Sequence, residues 1–328
     1  AELNTDDYSD YGDQSKYVTN SNGQLNLNNL APGKYKLKES KAPEDYYLNS
    51  REFTFAIDPV SNGNQAPTTI QLNNGEALID YQGTARFKKV DGRDFAAGTE
   101  TPLAGARFQL YTADGETPIG NTVASGTDGY FTFKNLAPGT TYAIKETQAP
   151  DDYLINQQMI RFTTPVTNNQ GDDAITIDNE GQKLVVDEKT PFKNYKEGVQ
   201  FQKVDANGHG LGGAKYQLLM QRNGQWQAIT DENKGAGGDG LFTSDALDGN
   251  VRGFELSPGS YKFVEQTAPN GYLLNTKEIP FVVQNQAESE PVILEIPITG
   301  DANVNYQGSA QLYKEAENTS DDGFSKLS

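Results

Sequence analysis

The chain has no cysteine and a single histidine in 328 residues, and tryptophan and methionine are nearly as rare. Without cysteine there is no disulfide, no thiolate-ligated zinc and no thiol nucleophile. The lone histidine, His209, has no cysteine to assist it, which argues against a Ser-His-Asp triad and against a zinc site. Basic side chains are also scarce: 27 Lys and Arg stand against 45 Asp and Glu, for a formal charge of -18. Such a surface repels phosphate backbones, so nucleic acid is excluded as a partner and solubility is the plain reading of the charge. No apolar run has the length of a membrane span or the pattern of a secretion signal, so no membrane insertion is expected of this segment. No amphipathic helical period is sustained over a useful length either. If the chain works outside a cell, something other than disulfides must staple it.

What is present is repetition. Tyr261-Lys262-Phe263-Val264-Glu265-Gln266-Thr267-Ala268-Pro269 echoes Tyr142-Ala143-Ile144-Lys145-Glu146-Thr147-Gln148-Ala149-Pro150 and Tyr35-Lys36-Leu37-Lys38-Glu39-Ser40-Lys41-Ala42-Pro43. Each copy follows a Pro-Gly turn: Pro32-Gly33, Pro138-Gly139 and Pro258-Gly259. Residues two apart on a strand share a face, so Tyr, an aliphatic or Phe, and then Glu point the same way. A carboxylate therefore lies on the apolar face in all three copies. Burying even a neutral polar group without a partner costs roughly 2–7 kcal/mol, so the recurrence asks for a partner.

The period of about 110 residues is that of an immunoglobulin-sized sandwich, and with strand and hairpin signals throughout it predicts an all-β chain of tandem sandwich domains. The expected units are 1–82, 83–197 and 198–307. The second opens with Ala85-Arg86-Phe87-Lys88-Lys89-Val90-Asp91 and the third with Val199-Gln200-Phe201-Gln202-Lys203-Val204-Asp205. The first unit has no such opening and is expected to lack its first strand. Residues 308–328, from Ser309-Ala310-Gln311-Leu312-Tyr313-Lys314, match the opening and read as a first strand of a further or split domain.

Superposing the units aligns three residue types: a lysine on the first strand (Lys89, Lys203 and the orphan Lys314), the repeated glutamate (Glu39, Glu146, Glu265), and Asp80, Asn194 or Asn305 on the last strand. Lys89 follows Phe87, and Lys203 follows Phe201, at the spacing that turns both inward. First and last strands of a sandwich can be neighbours, which brings the buried amine, acid and carboxamide together. Desolvation lowers the lysine pKa and raises that of the acid, so a neutral amine can face a protonated carboxyl. The amine can then attack the Asn carbonyl while the acid hydrogen-bonds its oxygen and relays protons; ammonia leaves and an amide joins two side chains. With Asp80 the leaving group is water. Asn303 competes with Asn305, since both are placed on one face. The plainer alternative for each trio is a buried polar cluster.

These residues resemble the CnaB-type domains of Gram-positive surface adhesins and pilins. The resemblance rests on Lys-Val-Asp at Lys89 and Lys203, on Glu-x-x-x-Pro from Glu39, Glu146 and Glu265, and on the Asn or Asp before Tyr81, Tyr195 and Tyr306. It implies a reverse-immunoglobulin sandwich, an E-box glutamate that promotes spontaneous Lys to Asn or Lys to Asp isopeptide bonds, and a non-enzymatic stalk on the outside of the cell wall. It implies no cofactor and no metal. Lys314 departs from the pattern, being followed by Glu315-Ala316, and neither the Leu-Pro-x-Thr-Gly sorting signal nor a shaft-pilin lysine motif is present. If the phase of the chain is meaningful, Lys314 of one molecule joins Asp80 of the next under the influence of Glu39, giving head-to-tail fibres.

Other signals point elsewhere. Gly208-His209-Gly210-Leu211-Gly212-Gly213 fits a dinucleotide pattern, but strand-like Ala214-Lys215-Tyr216-Gln217-Leu218 follows where a helix is required. The acidic run from Asp6 to Asp13 does not have EF-hand spacing and reads as a solvated loop. Trp226 is expected to pack on its own sheet, and 234–240 to form a long mobile loop. The rival function is an adhesive module whose loops 221–253 contact a host or matrix ligand. A glycosidase is ranked last because it needs two acids in one cleft, and the repeated glutamates sit in separate units.

Overall fold

The computed structural model describes residues 9, 17–49, 51–58, 69–166, 183–187, 189–287, 289–312, 315–317 and 324–326. The first unit contributes an antiparallel pair, β1 (Gly33–Lys38) and β2 (Glu52–Ile57). In the second, β3 (Gly83–Asp91) runs into the short helix α1 (Gly92–Ala96). Then follow β4 (Arg107–Thr112), β5 (Pro118–Ala124), β6 (Tyr130–Leu136), β7 (Thr141–Gln148), β8 (Ile160–Thr163), β9 (Lys183–Asp187) and β10 (Phe192–Asn194). The third unit repeats the plan: β11 (Glu197–Gln202), β12 (Val204–Asp205), β13 (Lys215–Arg222), β14 (Gln225–Ile229), β15 (Phe242–Thr243), β16 (Asn250–Leu256), β17 (Gly259–Thr267), β18 (Ile279–Val283), β19 (Leu294–Glu295) and β20 (Val304–Asn305). The described part of the tail includes an antiparallel pair, β21 (Glu315–Glu317) with β22 (Phe324–Lys326). Lys314 lies outside the described residues, as does the acidic run apart from Ser9.

The fold is all-β, with tandem immunoglobulin-like sandwiches as expected. In the second unit, the sheet β5-β4-β7-β8 faces a sheet of β6, β3, β9 and β10. In the third, β14-β13-β17-β18 is the counterpart of the first of these, and β16-β11-β19 with β12-β20 the counterpart of the second. Alternation explains both cores. Phe87, Phe131 and Phe133 turn in from one sheet and Phe108, Ile144 and Phe162 from the other, all nearly or fully buried. Phe108 stacks on Phe131 at 3.8 Å between centroids, and Phe201, Tyr216, Phe242 and Phe263 do the equivalent work in the third unit.

The tyrosine of each repeated sentence closes the Pro-Gly turn before it. The Tyr35 and Tyr261 hydroxyls donate to the Ala31 and Ser257 carbonyls at 2.6 and 2.8 Å, and that of Tyr142 accepts from the Ala137 N–H at 2.9 Å. This sets the start of β1, β7 and β17 and hence which residues reach the interior. The second and third units meet through charges: Arg93 on α1 reaches Glu255 at 2.8 Å and Glu290 at 3.4 Å, and Lys196 reaches Glu255 at 3.4 Å.

Candidate functional site

The first and last strands are neighbours, and they run parallel. β10 pairs with β3 so that Phe192 is opposite Lys89 and Asn194 opposite Asp91; β20 pairs with β12 with Asn305 opposite Asp205. The repeated glutamate arrives from the other sheet, at Phe108 on β4 for Glu146 and at Tyr216 on β13 for Glu265. Each lysine strand is held by a glycine at close range. Lys89 N–H donates to Gly129 O at 2.8 Å and Lys203 N–H to Gly249 O at 2.8 Å. Both glycines have positive φ, and a Cβ on either would stand 2.5 Å from the lysine's own carbonyl oxygen.

In the second unit Lys89, Glu146 and Asn194 form one buried cluster. Lys89 and Asn194 are wholly inaccessible and Glu146 nearly so. Lys89 Nζ lies 3.1 Å from Glu146 Oε1, close enough for an ion pair but without hydrogen-bond alignment. Asn194 Nδ2 donates to Glu146 Oε2 at 2.8 Å and to the Leu154 carbonyl at 2.5 Å. Because the Leu154 carbonyl can only accept, the amide nitrogen is fixed toward it and toward the carboxyl. Three atoms are left without a hydrogen-bond partner: Lys89 Nζ, Glu146 Oε1 and Asn194 Oδ1. Burial pulls the Lys89 pKa down to about 8 against the opposing pull of Glu146.

The third unit matches it with one shift. Asn305 Nδ2 donates to Glu265 Oε2 at 3.2 Å and to the Leu273 carbonyl at 2.6 Å. Lys203 Nζ is 3.9 Å from Glu265 Oε1 and donates instead to the Asn303 carbonyl at 3.0 Å. Burial lowers the Lys203 pKa to about 8 and raises that of Glu265. The Asn303 side chain is turned away, bonded to the Gln202 carbonyl at 2.7 Å. The chain turns through 301–303 and becomes strand only at Val304, so the two-residue period linking 303 to 305 does not hold there. It is Asn305 that meets Glu265.

In the first unit Glu39 and Asp80 come together without a lysine among the described residues. Asp80 Oδ1 is buried and unbonded, and its pKa is raised to about 6 by burial and by the neighbouring Glu39. Two acids side by side hold a proton between them more readily than either alone.

One expectation about the chemistry changes. The acid was placed against the Asn carbonyl oxygen, whereas the carboxyl accepts from the amide nitrogen, the atom that would leave as ammonia. The sequence reading also missed a fourth member. Asn49, Asn156 and Asn275 each give a backbone N–H to the glutamate's Oε2, at 2.7, 2.7 and 2.8 Å. Their side-chain amides donate to carbonyls around the last strand, at Ile79, Lys193 and Val304. The signal was present, since each repeated sentence is followed at the same distance by Asn: Tyr47-Leu48-Asn49, Leu154-Ile155-Asn156 and Leu273-Leu274-Asn275.

The discounted signals have ordinary places. His209 is in an exposed turn whose backbone N–H bonds Asp205, with no helix behind it. Among the described residues no group of three or more His, Asp or Glu is placed to hold a metal ion. Trp226 is half-covered by Lys262, whose Nζ sits 4.4 Å from the ring centroid. The stretch 234–240 departs from the expected mobile loop: a 3-10 turn at Glu232–Lys234, buried Ala236, and bonds from Lys234 to the Glu255 carbonyl and from Lys215 to Asp239 tie it down.

Tandem sandwiches, the second and third of which bring an acid from one sheet to the last strand of the other, define a modular all-β chain. The chain belongs to the SpaA prealbumin-like fold domain family, whose model matches residues 2–76, 83–181 and 197–295. Among solved structures it is similar to the Bacillus anthracis TIE protein, at 21% identity and a TM-score of 0.44 over 90% of this chain; it spans about half, 47%, of that one. It is also similar to a streptococcal ancillary pilin, at 17% identity and a TM-score of 0.32 over 86% of this chain and 77% of that one. The minor pilin GBS52 of Streptococcus agalactiae matches at 17% identity and a TM-score of 0.28 over 70% of this chain and 98% of its own. A search of curated proteins returns no match.

Proposed function

We propose that the chain is a stalk segment of a Gram-positive cell-surface adhesin or pilin of the CnaB, E-box type, held outside the cell wall and stiffened by isopeptide bonds that it forms itself. Lys89 joins Asn194 and Lys203 joins Asn305, with Glu146 and Glu265 as the acids. The observation that carries this is the buried lysine 3.1 Å from a buried carboxyl, with amine, acid and amide each left one hydrogen bond short. A settled polar cluster satisfies its atoms, because each unsatisfied buried group costs about 1–3 kcal/mol.

The neutral amine of Lys89 attacks Cγ of Asn194, a C–N bond forms, and the bond from Cγ to Nδ2 breaks. Glu146 takes the proton released by the amine and delivers one to Nδ2, to which it is already bonded at 2.8 Å, so that ammonia departs and the carboxyl is regenerated. The product ties the first strand to the last. These strands are parallel neighbours, so tension along the chain passes through the covalent link and the sandwich is not unzipped.

In the first unit, Glu39 and Asp80 serve as the acid and the acceptor for an amine from another copy, Lys314 being the candidate, with loss of water. Neighbouring copies are thus partners. The intact mass of the denatured chain tests the central reading. A deficit of two ammonia masses is expected, with Lys89→Ala and Lys203→Ala each restoring one. A mass equal to that of the sequence would mean that the clusters are ordinary buried polar groups.

A further inference from the structure

The amide of the second unit's buried cluster is held by a loop that the third unit grips. Asn194 Nδ2 donates to the Leu154 carbonyl at 2.5 Å, and the Leu154 N–H donates to the carbonyl of Tyr195, the residue after Asn194, at 2.9 Å. Leu154 thus bonds the end of the last strand through both of its backbone groups. Its side chain is completely buried, and it belongs to the core cluster of the third unit and not to that of its own. The next residue is tied to the same neighbour. Ile155 N–H donates to Asn285 Oδ1 at 3.1 Å, and Ala287 N–H donates to Ile155 O at 2.9 Å.

A second tie reaches the same place from the other side. The Tyr195 ring packs on Gly92, where a Cβ would stand 2.2 Å from it, and Gly92 opens α1. Arg93 on that helix reaches Glu255 and Glu290 of the third unit, and Lys196, directly after Tyr195, reaches Glu255 as well. Tyr153, just before Leu154, donates its hydroxyl to Asp91 Oδ2 at 2.8 Å, and the Asp91 side chain also caps α1. The segments on both sides of Asn194 are therefore fastened to the third unit.

In the cross-linking step, Lys89 Nζ bonds to Asn194 Cγ, the Cγ–Nδ2 bond breaks and Nδ2 leaves as ammonia. The Leu154 carbonyl touches that leaving atom. Because a carbonyl only accepts, it keeps Nδ2 and not Oδ1 turned toward Glu146, and its bond strengthens as Nδ2 gains a proton and positive charge. An interaction that grows along the reaction speeds it. We propose that the docked third unit completes the second unit's cross-linking site by holding Leu154 and Ile155, so that the Leu154 carbonyl fixes the leaving nitrogen; Asn285 and Ala287 are positioning residues. The inference rests on the reading of Lys89, Glu146 and Asn194 as a cross-linking trio and adds its regulation. The third unit folds, the junction closes, and the bond between Lys89 and Asn194 then forms at full rate.

The test follows the full chain in cell-free synthesis, with samples quenched in acid at intervals and each ammonia loss assigned to its unit by peptide mapping. Ala287→Glu touches none of the second unit's reacting groups. It is expected to slow that unit's ammonia loss about tenfold while the third unit's proceeds at its parental rate. Leu154→Ala keeps the carbonyl, loses the anchor and slows the same step by a similar factor, and Leu154→Met restores it. A parental second-unit rate in Ala287→Glu or in Leu154→Ala overturns the proposal. Where Ala287→Glu slows both units, Asn285→Ala decides, since it removes only the acceptor of the Ile155 N–H at an exposed position. It slows the second unit alone, about threefold, if the proposal holds, and neither unit or both alike if it fails. A parent chain with no second-unit deficit refutes the cross-link itself, whereas a deficit that forms regardless of the junction refutes the coupling alone.

Discussion

Glu146→Gln separates the nucleophile from the acid in the second unit. The replacement keeps the volume of the side chain and an oxygen able to accept from Asn194 Nδ2 and from the Asn156 N–H, but its amide is too weak an acid and too weak a base to relay a proton. The nucleophile survives. With its pKa near 8 instead of the usual 10.5, Lys89 is neutral about 10% of the time at pH 7, roughly 300-fold more than an exposed lysine. Removing the carboxylate takes away the one influence that holds this pKa up, so the neutral share rises further. If proton delivery to the departing nitrogen is the role of Glu146, the variant retains one more ammonia than its parent, while the third unit reacts as before. The lost cross-link closes a loop of about 100 residues, worth about 4.7 kcal/mol in the chain-entropy treatment. For a domain of this size that is about 15–30 °C in the unfolding midpoint of the second unit. Intact mass and calorimetry on the same sample read both quantities. A Glu146→Gln chain with the full deficit of its parent would refute the acid's role, and loss of the cross-link with an unmoved transition would refute its contribution to stability.

Three further outcomes follow from the same geometry. Asn305→Ala abolishes the third unit's ammonia loss and Asn303→Ala leaves it, because only the Asn305 side chain touches Glu265; mass spectrometry of the two variants decides it. Asp80 binds its proton more tightly in the folded first unit, where its pKa is about 6, than in the unfolded chain, where it is near 3.8, so the folded state holds more protons across that window. The first unit therefore loses stability as pH rises from 4 to 6, and Asp80→Asn flattens that dependence in denaturant titrations followed at each pH. Gly129→Ala places a methyl against the Lys89 carbonyl at a backbone conformation with φ of +79°, and is expected to cost about 1–3 kcal/mol and to slow cross-linking in the second unit, read by unfolding and by mass against time after refolding.

Much of this was legible in the sequence because a strand has a fixed period of two. Phe87 and Lys89, and Tyr142, Ile144 and Glu146, were expected on interior faces by alternation alone, and they are buried. The tandem all-β plan followed from the repeat length and the Pro-Gly turns, which recur with their tyrosine clasps at all three places. Asn49, Asn156 and Asn275 were visible as a repeat but carried no hint of chemistry, since their partner is reached through a backbone N–H that every residue except proline possesses.

Periodicity determined which face each side chain takes; only the tertiary structure decided which faces and atoms meet. The parallel register of β10 on β3 and of β20 on β12, the turn at 301–303 that puts Asn305 at Glu265 and Asn303 at the Lys203 amine through its carbonyl alone, and the amide nitrogen aimed at the acid all depend on contacts between strands far apart in sequence. The same holds for Leu154, whose side chain is buried in the core of the neighbouring unit and not in that of its own. A local pattern fixes direction along its own strand, and register between strands is fixed by turn geometry and by the packing of both cores at once.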